Sequence, residues 1–224
     1  MIQGSGELAA VLFDMDGTLV DSEKVWQVAL DQLAAEMGGV MSESVRKAMV
    51  GSTTPRAIAM LHEDIGVTGR DVQADSDALE DRMMSLCAGQ LDFRPGAFEL
   101  LQAVRAAGLK TALVTATVRR IVEVMLNTIG RDNFDVVITH DDVVHGKPDP
   151  EIYRLAAAKF GLGPGQMMVL EDSQNGCRAA VTTGAFAVAV PSSPSSQHDF
   201  SGAALVVDSL ADRRIYDALG IAGN

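Results

Sequence analysis

Cysteine is scarce in this 224-residue chain, which has only Cys87 and Cys177. Two thiols so far apart form neither a disulfide framework nor a metal-binding spacing, so both are read as reduced thiols in packed segments. Basic residues are also in short supply. Eighteen Lys+Arg stand against 30 Asp+Glu, a formal charge of −12. A chain of that sign has no stripe for a phosphate backbone and no attraction to an anionic bilayer, which disfavours nucleic-acid and membrane partners. Long apolar runs are missing too. The longest uncharged stretch, Ala179–Gln197, is broken by Thr, Gly, Pro and Ser. The first apolar run, Leu8–Phe13, follows no Lys or Arg and is too short for the core of a signal peptide. No repeat is visible, and Pro191–Ser196 is a loop too short to be a linker. The expectation is a soluble, cytoplasmic globular protein.

Apolar residues are what the chain has in quantity. At 47% of the sequence they fill a core without disulfides or a structural metal. The length suits one domain carrying a smaller insertion. Short, continuously apolar runs at Ala9–Phe13, Thr111–Thr115, Val136–Thr139, Met167–Leu170, Ala185–Val190 and Ala204–Val207 read as strands of a parallel sheet covered on both faces. Helical patterns lie between them. Phe98, Leu100, Leu101 and Val104 lead to a C-cap at Gly108. Asp149 as N-cap and Pro150 at the first helical position open a second pattern through Ile152, Leu155, Ala156 and Phe160, closed by Gly161. Strand and helix alternate from residue 94 onward, which predicts an α/β fold with a doubly wound, Rossmann-like parallel sheet.

The first strand departs from that rhythm, because no second strand follows for some 90 residues. Trp26, Ala29, Leu30, Leu33, Ala34 and Met37 fall at helical spacing up to Gly38-Gly39, and further helices are predicted over Ser42–Met49, Arg56–Asp64 and Asp71–Gln90. The reading is a helical module over residues 21–91, inserted into an α/β core of residues 1–20 and 92–224. Over 21–92, 13 acidic residues stand against 6 basic ones, and the acidic run from Glu63 to Asp81 is predicted to be a solvated face.

Chemistry gathers where strands end. The first strand runs into Asp14-Met15-Asp16-Gly17-Thr18, so two carboxylates sit at the carboxyl edge of a parallel sheet, where ligands bind. An EF-hand is excluded, since the glycine comes fourth and the further ligands are missing. Thr115 closes another strand, Lys147 stands in Gly146-Lys147-Pro148-Asp149-Pro150 just before a helix, and Glu171-Asp172-Ser173 follows a third strand. Singly, each has an ordinary reading: a strand terminus, a surface lysine, a helix N-cap. Together they fit phosphoryl transfer. Asp14, Asp172 and Glu171, with the backbone carbonyl of Asp16, would bind Mg²⁺, a hard cation that prefers oxygen. Asp14 would attack phosphorus. Thr115 and the backbone N–H groups after it, Ala116 first, would hold phosphate oxygens, with Lys147 supplying positive charge. Asp16 would protonate the leaving oxygen and later take a proton from water. Closure of the helical insertion would desolvate it.

The run Asp14-Met15-Asp16-Gly17-Thr18-Leu19-Val20-Asp21-Ser22-Glu23, with Thr115, Gly146–Pro150 and Glu171-Asp172-Ser173, resembles the haloacid dehalogenase superfamily. The likeness is to the branch with a helical cap after the first strand, which includes β-phosphoglucomutase-like and phosphoglycolate phosphatase-like enzymes. The resemblance implies Asp14 as nucleophile, Asp16 as general acid/base, Thr115 and Lys147 as the motif threonine and lysine, and Glu171-Asp172 as the acidic metal motif.

Departures from relatives narrow the reading. Dehalogenases and the phosphonate-cleaving branch lack the second aspartate, which is present here as Asp16. The mutase branch uses a cap histidine where Trp26 stands, and an arginine where this loop, Gly51-Ser52-Thr53-Thr54-Pro55-Arg56, has Thr54. Hydrolysis of a small phosphomonoester is therefore preferred, with a phosphomutase as the alternative and a non-enzymatic phosphoacceptor module as a third reading. Lys24, Trp26, Ser52, Thr54 and Arg56 from the insertion, with Thr117 and Arg119 from the core, are candidates to touch the leaving group. Trp26 is equally a packing residue on the stripe with Leu30 and Leu33, and Arg119 and Arg120 are equally solvated. None of His62, His140, His145 and His198 is assigned a role. The expected partner is a small phosphorylated metabolite, with the protein a monomer or homodimer.

Overall fold

The computed structural model describes residues 7–49, 52–89, 91–192 and 199–223. Gly51, His198 and the later part of the Pro191–Ser196 loop, all discussed above, lie outside the described residues, as does Gln90. Strand β1 (Ala10–Phe13) is followed by helices α1 (Glu23–Glu36), α2 (Glu43–Ala48), α3 (Thr54–Asp64) and α4 (Val72–Cys87). Alternation then sets in: α5 (Ala97–Ala106), β2 (Lys110–Val114), α6 (Arg119–Ile129), β3 (Val136–Ile138), α7 (Glu151–Phe160), β4 (Met167–Glu171), α8 (Gln174–Thr183), β5 (Phe186–Ala189), β6 (Leu205–Val206) and α9 (Arg213–Leu219).

The strands form a parallel sheet in the order β3-β2-β1-β4-β5-β6. From β1 the chain winds outward one way through β2 and β3, then returns to the other side of β1 for β4 onward. The order thus reverses around β1, and an open parallel sheet has its ligand crevice there, outside the carboxyl ends of the strands. Phe13 lies in register with Leu113 of β2 and Leu170 of β4. Register alone therefore brings Asp14, Glu171 and the residues after Leu113 to one edge.

Apolar burial explains the rest. One face of the sheet, with Ala10, Leu12, Val114 and Val169, packs on Ile152, Tyr153 and Ala156 of α7 and Ala179 and Ala180 of α8. The other face, with Val11, Phe13 and Leu170, shares a cluster with α5 and α6 and also with Leu30, Leu33, Ile58, Leu61, Leu79 and Met83 of α1, α3 and α4. The helices after β1 thus do not build a separate apolar core. Among the described residues no helix is long and apolar enough to cross a membrane.

Two local expectations need correction. Helix α7 begins at Glu151 with Pro150 as its cap residue, one position later than predicted. The Asp149 carboxylate still accepts from Glu151 N at 2.9 Å, the bond that a capping aspartate makes to the second residue on. The acidic run from Glu63 to Asp81 is not wholly a solvated face, since Asp75 and Glu80 are buried. Asp75 accepts from Arg70 Nε at 2.7 Å and pairs with His62 Nε2 at 2.8 Å, which gives His62 a packing role that its spacing did not reveal. Glu80 faces Arg120 of α6 at 3.4 Å. Charge periodicity reports helix faces, but a buried carboxylate is tolerated wherever a cation from a neighbouring helix reaches it.

Candidate active site

Lys147 is no surface lysine. Its side chain is 3% exposed, with Nζ 2.6 Å from Asp14 Oδ1, 2.5 Å from Glu171 Oε1 and 3.1 Å from the carbonyl of Val114. It also lies 5.4 Å from the ring centroid of Tyr153. Tyr153 donates its hydroxyl to Glu171 Oε1, and Ser173 Oγ donates to Glu171 Oε2 at 3.2 Å. Ser173 is also the N-cap of α8, accepting from Gly176 N at 3.1 Å. The ordinary reading of that serine holds alongside its contact with the site.

Asp14, Glu171 and Asp172 are all buried, and one oxygen from each lies within 4.8 Å of the others. Among the described residues one ammonium, that of Lys147, is paired within this trio of carboxylates, bonding Asp14 and Glu171. Burial, then the neighbouring Glu171 charge, push the Asp14 carboxyl up to about 8 despite Lys147. Burial, then Asp14 and Glu171, raise Asp172 well above the carboxylate range. Burial also works against the Lys147 ammonium, but Asp14 and Glu171 outweigh it and hold its pKa above the ordinary lysine value. The shortfall is two positive charges, which is what one divalent cation carries. The oxygen-only donor set suits a hard ion. The trio therefore fits a magnesium-type ion.

Two glycines make room for these carboxylates. Gly17 has φ +75, and a Cβ there would stand 2.2 Å from Asp172 Oδ2. At Gly176 a Cβ would meet the Glu171 carboxyl at 2.0 Å.

Asp16 lies two residues from Asp14 in a different setting. Its Oδ1 accepts from Ser22 Oγ at 2.6 Å and from Trp26 Nε1 at 3.0 Å. Its Oδ2 accepts from Thr117 Oγ1 at 2.6 Å and Thr115 Oγ1 at 3.4 Å. The Asp16 side chain is thus held apart from the acidic trio, and its expected place in the metal set does not extend to its carboxylate. Thr115 in turn accepts from Thr117 N at 3.1 Å, so the bend through half-buried Ala116 is folded back over the end of β2.

The outer candidates divide. Trp26 and Thr117 come to the site through Asp16. Lys24 is exposed and pairs with Asp21 at 3.0 Å. Ser52 and Thr54 are half-buried and Arg56 is exposed at the start of α3. The neighbouring Thr53 comes within 3.6 Å of the space a side chain on Gly146 would fill. Arg119 pairs with Asp142 at 2.6 Å and Glu123 at 3.6 Å, and Arg120 pairs with Glu80 and Asp81. Neither arginine is simply solvated.

Sequence reasoning missed four participants: Ser22, Tyr153, Gly176 and Ser192. Ser192 donates to Glu23 Oε1 at 2.5 Å and also bonds Asp172. Tyr153 had one available signal, a polar tip on an otherwise apolar helix stripe, and Ser22 stood within the run Asp14–Glu23 without a role assigned; Gly176 and Ser192 had none.

Residues 8–184 match the family described as haloacid dehalogenase-like hydrolase. Among curated proteins, the chain is 30% identical over 215 residues to Protein CbbY of Cereibacter sphaeroides, covering 92% of this chain and 94% of that one. It is also 30% identical over 178 residues to a phosphorylated carbohydrates phosphatase of Thermotoga maritima, covering 79% and 82%. Among solved structures, CbbY from Rhodobacter sphaeroides in complex with phosphate superposes with a TM-score of 0.83 at 30% identity, covering 92% of this chain and 96% of that one.

Proposed function

The chain belongs to the haloacid dehalogenase-like hydrolases, and from that premise we propose that it is a Mg²⁺-dependent phosphatase of small phosphomonoesters, a sugar phosphate or similar metabolite. The observation that carries the reading is the uncompensated charge at the sheet edge: three buried carboxylates against one lysine. Asp14 and Asp172, with Glu171 beside them, would hold the ion. When bound, it offsets the repulsion between the Asp14 carboxylate and an anionic ester.

The chain's own groups then divide the work. An Asp14 oxygen attacks phosphorus and the bond to the ester oxygen breaks, its electron pair staying on that oxygen, which takes a proton from Asp16. Water then attacks the aspartyl-phosphate and gives its proton back to Asp16, so that inorganic phosphate leaves and both aspartates are restored. Lys147 holds Asp14 in line and places positive charge where phosphate oxygens gather. Thr115 and the Ala116 N–H would bind those oxygens. Glu171 steadies Lys147, and Tyr153 steadies Glu171. Residues 21–91 act as a cap over this edge, with the start of α3 nearest the leaving group. A sugar phosphate fits the Thermotoga relative, a phosphorylated carbohydrates phosphatase, and a cytoplasmic protein with reduced thiols is part of the same reading.

A screen of phosphorylated metabolites with and without Mg²⁺, scored by released inorganic phosphate, tests the proposal. Turnover should need the ion, and Asp14→Asn should abolish it while the melting temperature stays near wild type. Wild-type turnover in Asp14→Asn would overturn the mechanism, and conversion of a sugar phosphate with no phosphate released would point to a mutase.

A further inference from the structure

The donors around Asp16 differ in what they can do. Ser22, Thr115 and Thr117 are hydroxyls, which donate or accept as their partner requires, whereas the Trp26 indole N–H only donates. Trp26 Nε1 lies 3.0 Å from Oδ1, so that oxygen is held as an acceptor whether or not Asp16 carries a proton. Oδ1 is turned to Ser22 and Trp26, at the start of the helical insertion. Oδ2 is turned to Thr115 and Thr117, just beyond the end of β2. That same strand end contributes the Val114 carbonyl to Lys147, which holds Asp14.

We propose that Trp26 is a positioning residue that confines the transferable proton of Asp16 to Oδ2, the oxygen on the side of Thr115 and the nucleophile. The inference rests on the reading of Asp16 as general acid given above. As the ester bond breaks with its electron pair on the leaving oxygen, that oxygen takes the proton from Oδ2. Asp16 is left as a carboxylate accepting from all four donors, the pattern the structure shows. The hydroxyls of Thr115 and Thr117 can reverse when Oδ2 is protonated; the indole cannot. Without the indole N–H, the proton is free to settle on Oδ1, facing α1 and out of reach of the leaving oxygen. Because Trp26 belongs to α1, seating that helix and setting the acid become one event.

The test uses the full chain with Mg²⁺, the best alkyl phosphate of the metabolite screen and 4-nitrophenyl phosphate, whose leaving group needs no proton. Trp26→Phe keeps an aromatic ring and removes the donor. Its kcat on the alkyl ester should fall about tenfold, a part of the 10²–10⁴ that general acid–base catalysis supplies. Its KM should move less than twofold and 4-nitrophenyl phosphate should be nearly unaffected, while Trp26→His, which returns an N–H, should recover part of the loss. Equal losses on both esters, or a change confined to KM, would make Trp26 a wall of the substrate site and overturn the proposal. Asp16→Ala separates the two readings: if it too loses equally on both esters, the acid role of Asp16 fails, whatever Trp26 does. A further readout needs no turnover. Trp26 is the chain's single tryptophan, so its emission should shift to shorter wavelength in Asp16→Ala, which removes the acceptor. Unchanged emission would show that the contact is absent in solution and would also overturn the proposal.

Discussion

Two buried charge clusters in this molecule invite comparison. In the helical insertion, Asp75 sits between Arg70 and His62, and hydrogen bonds from Arg70 hold its carboxyl below the usual range despite burial. At the sheet edge, Lys147 is the one cation paired with the trio of Asp14, Glu171 and Asp172 among the described residues, bonding the first two, and burial drives Asp14 and Asp172 upward. The first cluster is complete from the chain's own residues; the second is short by two positive charges. A self-compensated cluster fixes helices against one another. An uncompensated one costs stability and could hold a cation.

The sharpest way to break this contrast is Gly176→Ala. Its methyl group would occupy the space of the Glu171 carboxyl, forcing a buried, paired charge to move, at about 3–5 kcal/mol. Thermal melting should show that loss and turnover should vanish with it. Near-wild-type melting would mean that Glu171 has room to spare and that the sheet-edge cluster is less tightly built than described.

Next in size is the effect of the ion. Mg²⁺ at about a hundred times its dissociation constant should add about 2.7 kcal/mol of stability. The pH dependence carries a sign. In chelator-treated protein, Asp14 titrates at about 8 when folded, against 3.8 for an unperturbed carboxyl. Between those values the folded state binds more protons than the unfolded one, so stability should fall as pH rises from about 4 to about 8. Saturating Mg²⁺ should flatten that slope. A metal-free protein equally stable across the window would remove the charge deficit on which the comparison stands.

The smallest effect belongs to the balanced cluster. Asp75→Asn should lower stability by about 2 kcal/mol and leave kcat and KM unchanged. Its pH signature runs opposite to that of Asp14. The folded pKa of Asp75 is depressed, so its contribution is present above the unfolded value of about 4 and is lost as pH falls through the lower folded one. A fall in turnover comparable to that of Gly176→Ala would show that the two clusters are not independent.

The sheet edge was readable in the sequence because apolar runs stop abruptly at Asp14, Thr115 and Glu171, and a parallel strand delivers its last residue to the ligand side. Strand identities followed from that pattern, whereas the helices after β1 were read from apolar residues at helical spacing and Lys147 from its place just before a helix. What could not be read depends on how helices lean on one another. Asp75 and Glu80 look like members of a solvated acidic run until α3 and α6 bring His62 and Arg120 against them. Trp26 falls on an apolar stripe, and nothing in the spacing shows that its N–H reaches back ten residues to Asp16. Gly176 carries no mark of its own, since its need arises from a carboxyl five residues earlier in the chain folding back over it.

The pairing of β4 with β1, Leu170 beside Phe13, has a consequence beyond the ladder of hydrogen bonds. Successive strand residues alternate faces, so sliding β4 by one residue would exchange the places of Glu171 and Asp172 relative to Asp14. The sheet is thus a vernier for the chemistry at its rim: side chains deep in the hydrophobic interior, far from any substrate, set the spacing of the oxygens that meet it.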